Sequence, residues 1–445
     1  MLKNLIISLC ISVVFFFVAS TTFSMQHSVL IALIALLVTL WTNEALPIGV
    51  VSLLPILLFP AFGILDIKDV TVNYSNTTIF LFMGGFMIAI ATQKINLHKY
   101  ISNKLLTIFP NTPRGMIFSL AITSGLLSSI LSNSTTALLL IPIAIFLTHD
   151  LKLKARLALA IAYGCSIGGI ITPIGTPPNL ILLGFMQQHD LEPIAFLEWI
   201  VLVAPLALIM LIIIPYLLSL GLSDIKLDNK VETIEKLEPA QKRLLFILLG
   251  LVVTLLVNSK IEPYYSGLGL NETAILLSFG LLMFVPKIGF IEWEDAKNIP
   301  YEIIFLFGAG FAIASAFSKT GLAGEIANYM LSLTNLPVIV LILIIATLIT
   351  FTTEITSNTA LISIALPIIY SLGQVANINM TLILMVATIC ASYAFMLPIA
   401  TPPNAIAMSS GAVKVKEMAK FGFIINILAI IIVTIVALVY WQHFI

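Results

Sequence analysis

Apolar runs of roughly membrane length, separated by short polar or proline-bearing stretches, pattern almost the whole chain. They lie near 5–23, 28–43, 46–64, 77–93, 156–171, 196–220, 243–257, 267–285, 302–318, 381–399 and 421–441. Each approaches the ~20 residues a helix needs to cross the hydrocarbon core, and tilting or breaks accommodate the shorter ones. Two further apolar segments, 115–148 and 337–372, are too long for one crossing. Each has a polar patch at its middle, Ser132-Asn133-Ser134 in the first and Ser357-Asn358-Thr359 in the second. The pattern predicts an all-α polytopic membrane protein with about eleven transmembrane helices and two re-entrant hairpins, tips buried in protein or lining a cavity.

The polar patches belong to a repeat with an offset of 225 residues. Thr172-Pro173-Ile174-Gly175-Thr176-Pro177-Pro178-Asn179 returns as Leu397-Pro398-Ile399-Ala400-Thr401-Pro402-Pro403-Asn404, and both copies lie 43 residues beyond their patch, counted from Ser132 to Gly175 and from Ser357 to Ala400. Leu81–Ala89 aligns at the same offset with Leu306–Ala314, Lys94 with Lys319 and Pro142 with Pro367. Five predicted spans separate equivalent points, and an odd number reverses direction, so the halves form an inverted repeat of the kind secondary transporters use. The division expected is an N-terminal membrane helix over 1–27, a first repeat over 28–220 with its hairpin at 115–148, a cytoplasmic linker over 221–242, and a second repeat over 243–445 with its hairpin at 337–372.

Composition agrees with a membrane protein: 60% of the 445 residues are hydrophobic, 9% are charged, and the mean hydropathy is +1.12. The 21 basic and 21 acidic residues cancel, which argues against nucleic acid as a partner. Cys10, Cys165 and Cys390 are far apart, and His27, His98, His149, His189 and His443 sit near segment ends, so neither a disulfide framework nor a metal cluster is expected. Residues 1–23 resemble a signal peptide but precede many further spans, and a retained first helix is the reading adopted. With the N-terminus inside, only Lys68, Lys260 and Lys319 of the 21 basic residues fall outside, and eleven spans place the C-terminus outside. Residues 94–109 (Leu97, Ile101, Leu105, Ile108) and 319–334 (Leu322, Ile326, Met330, Leu333) each present one apolar helical face to a membrane interface, as braces for a moving domain or as plain connectors. The polar loop 221–243 carries helical ion-pair spacings at Glu232/Lys236 and Glu238/Lys242.

Serine, threonine and asparagine cap helix N-termini, where free N–H groups and the helix dipole attract anions. The Thr-Pro-Pro sequences are similar starts, and the helix ending before each leaves carbonyls that can hold a cation. Kinks and caps alone would explain one such motif; two pairs at identical spacing point to a single site with two symmetric halves. Glu354 is the one acidic residue inside an apolar segment near a motif, a position suited to a cation partner or proton carrier. Its counterpart is Ser129, and that break in symmetry favours a structural or tuning role. Glu44, beside Pro47, reads as a cytoplasmic end residue. No lysine or arginine lies near the presumed centre, so a bound dianion has to be balanced by helix ends and co-bound cations.

The paired hairpin tips, the paired Thr-Pro-Pro-Asn breaks and the run Thr353-Glu354-Ile355-Thr356-Ser357-Asn358-Thr359-Ala360 resemble the divalent anion/sodium symporter family over nearly the whole chain. The resemblance implies a homodimer in the bacterial inner membrane, working as an elevator in which a transport domain carrying both hairpins slides past a fixed scaffold. It implies one sodium (Na+) site at Ser128, Ser132, Asn133 and the Gly175 carbonyl, and a second at Thr353, the Thr356 carbonyl, Asn358 and the Ala400 carbonyl. Substrate carboxylates would meet Asn133, Ser134, Asn358 and Thr359, with Thr176, Thr401 and Pro402 close by. Ser134 stands where the family usually has threonine, which keeps the hydroxyl and loses a methyl.

The expected function is sodium-coupled import of C4 dicarboxylates such as succinate, malate or fumarate. Alternatives are a sodium-independent dicarboxylate exchanger, a sulfate or other inorganic anion symporter, and a proton-coupled cation antiporter using Glu354. An antiporter would need carboxylates at the crossing point. An enzyme is not expected, because no histidine or lysine is placed to activate the central hydroxyls.

Overall fold

The computed structural model describes residues 2–43, 45–222, 236–259, 265–329, 336–376 and 378–444. Glu44, Lys226, Lys230, Glu232, Lys260, Met330 and Leu333 lie outside the described residues, and so do the readings placed on them. The described chain is helical. In order, the helices are α1 (Leu2–Ser20), α2 (Met25–Asn43), α3 (Ile48–Ala61), α4 (Ile67–Thr71), α5 (Thr77–Lys94), α6 (Leu97–Leu106), α7 (Pro113–Ser128), α8 (Asn133–Phe146), α9 (Leu151–Ile171) and α10 (Pro177–Gln188). Next come α11 (Phe196–Ser219), α12 (Pro239–Asn258), α13 (Glu272–Leu282), α14 (Tyr301–Thr320) and α15 (Leu322–Tyr329). The chain continues with α16 (Val338–Thr353), α17 (Asn358–Ala376), α18 (Met380–Ala391), α19 (Pro402–Ser409) and α20 (Val415–Val436).

Among the described residues nine helices are long and apolar enough to cross a membrane. One of these, α17, is a hairpin arm, whereas the spans expected at 46–64, 267–285 and 381–399 are shorter helices. Helix α3 carries Pro55 and Pro60 and stops before Gly63, whose φ is +67°. Helix α13, at ~1.5 Å per residue, covers only about half the ~30 Å core. The chain turns beyond it, and the Met283 carbonyl accepts from the N–H groups of Phe290 and Ile291. The early end of α18 has a separate cause, given below.

Both long apolar segments split at their polar patch, 115–148 into α7 and α8 and 337–372 into α16 and α17. Local chemistry sets these starts. Pro113 opens α7 behind Thr112, whose hydroxyl accepts from Gly115 N–H at 3.1 Å. Asp150 caps α9 through Leu153 N–H at 2.8 Å. Helix α7 packs on α9 and α11, α8 on α9, and α16 and α17 on α18. The crossing of α7 and α9 depends on glycine. A Cβ at Gly168 of α9 would stand 2.0 Å from the Gly125 carbonyl oxygen of α7, so no other residue fits there.

The repeat also appears in the packing. Helix α10 lies on α17 and α18, and its counterpart α19 lies on α8 and α9, so the second half of each broken helix rests on the other repeat's hairpin arm. Phe82 and Phe307, 225 residues apart, meet with ring centroids 4.9 Å apart. Lys94 pairs with Asp295 at 2.6 Å and Lys319 pairs with Asp69 at 2.6 Å, so equivalent lysines each reach into the opposite repeat. A smaller apolar core of α2, α3, α14 and α15 residues, joined by Ala360 of α17, sits beside the main one, which holds most of the hairpins. Helices α6 and α15 fall in the two stretches expected at the interface; α6 ends at Leu106, so Ile108, expected on its apolar face, lies beyond the helix and is exposed.

Candidate functional site

Both hairpin turns, 129–132 and 354–357, place a hydroxyl five residues before an asparagine and bring the two together. Ser128 Oγ donates to Asn133 Oδ1, and Thr353 Oγ1 donates to Asn358 Oδ1 at 2.6 Å. Ser128 and Thr353 are fully buried, so each pair sits inside its hairpin and commits the asparagine's oxygen to the hydroxyl. The caps follow the same register. Ser132 Oγ accepts from Thr135 N–H at 3.2 Å, and Ser357 Oγ accepts from Ala360 N–H at 3.5 Å.

The two Thr-Pro-Pro-Asn breaks are closed by their asparagines. Asn179 Nδ2 donates to the carbonyls of Gly169 (3.1 Å) and Thr172 (2.9 Å). Asn404 Nδ2 does the same with Ala394 (2.9 Å) and Leu397 (3.1 Å), ten and seven residues earlier in both copies. Gly175 N–H and Ala400 N–H donate to the Thr172 and Leu397 carbonyls, each at 3.2 Å, which leaves the carbonyls of Gly175 and Ala400 at the turn. Thr401 caps α19 through Asn404 N–H at 3.4 Å. Thr176 occupies the matching cap position, but its hydroxyl makes no cap bond, a difference from the expected symmetric caps.

All four motifs line one cavity of about 330 Å³. Of the residues expected to meet substrate, Asn133, Ser134, Thr176, Asn358, Thr359, Thr401 and Pro402 all contribute to its wall. Of those expected to hold sodium, Ser132, Gly175, Thr356 and Ala400 line it with the two asparagines, while Ser128 and Thr353 stand behind the asparagines they bond. Among the described residues no lining residue is charged. The remaining wall was not foreseen from the motifs. Trp41 and Thr42 of α2, Ile48 of α3, Phe82 and Phe86 of α5, and Ile303 and Phe307 of α14 close the side facing the hairpins. A partial signal existed, since Phe82 and Phe307 fall inside the aligned runs; Trp41 and Ile48 carry none.

Glu354 lies outside the cavity lining and is 3% exposed. Its Oε1 accepts from the N–H groups of Phe395 (2.7 Å) and Met396 (2.9 Å) and from Asn426 Nδ2 (2.7 Å); its Oε2 accepts from Leu397 N–H (3.0 Å). At the same junction in the first repeat, Thr172 Oγ1 donates to the Ser129 carbonyl at 2.5 Å.

Chemically the cavity offers oxygen ligands at each hairpin tip, amide and backbone donors at helix starts, and no fixed charge. Comparison with known proteins agrees with a transporter. The citrate transporter family model matches residues 34–389. The sodium-dependent dicarboxylate transporters SdcS of Staphylococcus saprophyticus and Staphylococcus aureus are 32% and 33% identical, each covering 89% of this chain and 83% of the relative. Among solved structures, Neisseria gonorrhoeae MtrF superposes with a TM-score of 0.63 over 94% of this chain and 95% of that one. The Alcanivorax borkumensis YdaH transporter superposes with 0.62 over 84% and 87%. At 14% identity these two speak for the fold. The chain therefore belongs to the citrate transporter family, as a membrane transporter of the divalent anion/sodium symporter group.

Proposed function

We propose that the protein imports C4 dicarboxylates such as succinate, malate or fumarate together with sodium, as a homodimeric elevator in a bacterial inner membrane with its N-terminus cytoplasmic. The observation that carries this reading is the convergence of both hairpin tips and both helix breaks on one uncharged cavity. Each tip pairs a hydroxyl oxygen with an amide oxygen, a set suited to a small hard cation. Each asparagine's N–H₂ is left to meet a carboxylate, so one side chain serves both ligands. The names of the staphylococcal relatives supply the same pair, sodium and a dicarboxylate.

In this reading the transport domain comprises α7–α11 and α16–α20 and moves against α2, α3, α5 and α14, whose aromatic and aliphatic side chains form the far wall of the cavity. The test is uptake of labelled succinate into proteoliposomes with and without an inward sodium gradient, against a panel of unlabelled anions. Steep dependence on sodium, no rescue by potassium, and competition by C4 dicarboxylates but not acetate are expected. Uptake indifferent to sodium that requires internal dicarboxylate identifies an exchanger. Competition by sulfate above succinate identifies an inorganic anion carrier.

A further inference from the structure

The two halves of the site are built on the same register but held by different means. Helix α9 continues to Ile171, whereas α18 stops at Ala391, the equivalent of Ser166 and five residues short of its partner's end. The amides of Ile170 and Ile171 lie inside a helix; those of the matching Phe395 and Met396 do not, and Leu397 follows them outside it. Buried N–H groups left without acceptors are costly, and here one carboxylate takes all three. Every hydrogen-bond partner of that carboxylate is a donor, with Asn426 of α20 as the fourth, which is the environment of an ionised acceptor.

Two consequences of the shortened helix reach the cavity. The Ala391 carbonyl, released at the end of α18, accepts from Thr353 Oγ1 at 2.8 Å, and the same hydroxyl bonds Asn358. The unwound stretch then delivers Ala400 and Thr401 to the cavity wall. Glu354 directly follows Thr353, so one residue ties the hairpin tip to the segment that supplies the opposite oxygen. In the first half the helix keeps its own bonds, and the equivalent tie is one bond, the Thr172 hydroxyl on the Ser129 carbonyl.

We propose that Glu354 is the positioning residue of the second cation site. Its carboxylate takes the place of the last turn of α18, holds residues 392–400 unwound, and sets the Ala400 carbonyl against Thr353 and Asn358. This rests on the sodium reading given above, and the experiment separates the two.

Glu354→Gln keeps one acceptor oxygen and turns an N–H₂ against donors. Asn426→Ala removes one donor of four and serves if the first variant does not fold. Sodium dependence of succinate uptake is measured at saturating succinate, together with hydrogen exchange over 392–400 by mass spectrometry. The half-saturating sodium concentration is expected to rise tenfold or more in Glu354→Gln and about threefold in Asn426→Ala, with faster exchange of that segment in both. A purely structural role would reduce the amount of active protein and leave the half-saturating concentration where it was. Unchanged sodium dependence in a folded variant, or unchanged exchange over 392–400, overturns the proposal. If wild-type uptake ignores sodium, the functional reading falls, and exchange alone decides whether Glu354 holds the segment.

Discussion

Gly169→Ala tests how finely the first hairpin tip is held. A Cβ built at Gly169 lies 2.9 Å from Asn133 Oδ1, 3.2 Å from its Nδ2 and 3.2 Å from Thr176 Cβ. Two of these atoms belong to the end of a flexible side chain, so the carboxamide shifts by about half an ångström, while Thr176 has to give by a few tenths. Alanine also favours helix over glycine by ~1 kcal/mol, so folding should not suffer. The shift instead pulls Asn133 away from Ser128 and from whatever both hold. Partial loss of a hydrogen bond or ligand contact to a charged group is worth about 1–2 kcal/mol, or roughly 5–30-fold in affinity. Half-saturating sodium and succinate should therefore both rise in proteoliposome uptake, with thermal stability in detergent equal to wild type or higher. The reasoning is refuted if both affinities stay at wild-type values, and equally if the variant loses stability in proportion to its activity. The second repeat already has alanine at the equivalent position, Ala394, because there the chain has left the helix.

Asn133→Asp and Asn358→Asp should each abolish dicarboxylate uptake while the protein remains folded and assembled, since each loses a donor worth ~1.5–3 kcal/mol and sets like charges together; uptake and size-exclusion profiles check this. Ser134→Thr and Thr359→Ser keep both hydroxyls and change one methyl, so competition among anions of different length should shift while transport persists. Single cysteines at Ser134 and Thr359, with Cys10, Cys165 and Cys390 replaced, should change in labelling when sodium and succinate are added; labelling from one side under every condition would argue against alternating access. Gln188 Nε2 donates to Asn73 Oδ1 at 2.7 Å and Thr77 Oγ1 donates to Gln187 Oε1 at 2.7 Å, joining the end of α10 to the start of α5. Gln187→Ala with Gln188→Ala should loosen this contact and, if it bears on access to the cavity, change labelling of the Ser134 cysteine, with no change if the contact is incidental.

What the sequence made legible were breaks in apolar pattern, because a polar or proline residue in a membrane segment has few uses. The splits at Ser132 and Ser357 and the helix start at Thr401 follow from cap chemistry that acts within four residues, and the start after Thr176 from its prolines. The 225-residue offset extended these local signals to a shared cavity, since equal spacing in two copies implies equal construction. Contacts between distant elements left weaker traces. Trp41 and Ile48 are ordinary apolar residues in ordinary spans, and only tertiary packing makes them wall. The end of α18 was misplaced by several residues, because residues 392–397 are apolar enough to continue a helix and the competing acceptor, Glu354, lies some 40 residues away. The break in symmetry at Glu354 was visible; the three amides it serves were not.

The absence of fixed charge among the described residues of the cavity wall bears directly on coupling. A lysine in the wall would bind a dicarboxylate whether or not sodium were present, and the carrier could then move the anion without the gradient. Among the described residues the wall is uncharged, and the proposed positive charge arrives with the transported ions. Two opposite unit charges about 4 Å apart attract by ~4 kcal/mol at the effective dielectric typical near a protein surface. Much of that is the difference between a dianion bound beside filled cation sites and one bound beside bare oxygen ligands. At 1.4 kcal/mol per factor of ten, even half of it makes sodium change anion affinity by more than an order of magnitude. Linkage makes the effect reciprocal, so the anion tightens sodium to the same degree. The two asparagines then do more than add contacts. Because Oδ1 of each is held by a hydroxyl of its own hairpin, filling the proposed cation site would also fix the amide donor that the proposed reading gives to the carboxylate. A partly loaded cavity is left with either unbalanced charge or a misdirected amide, and both oppose its passage through the membrane.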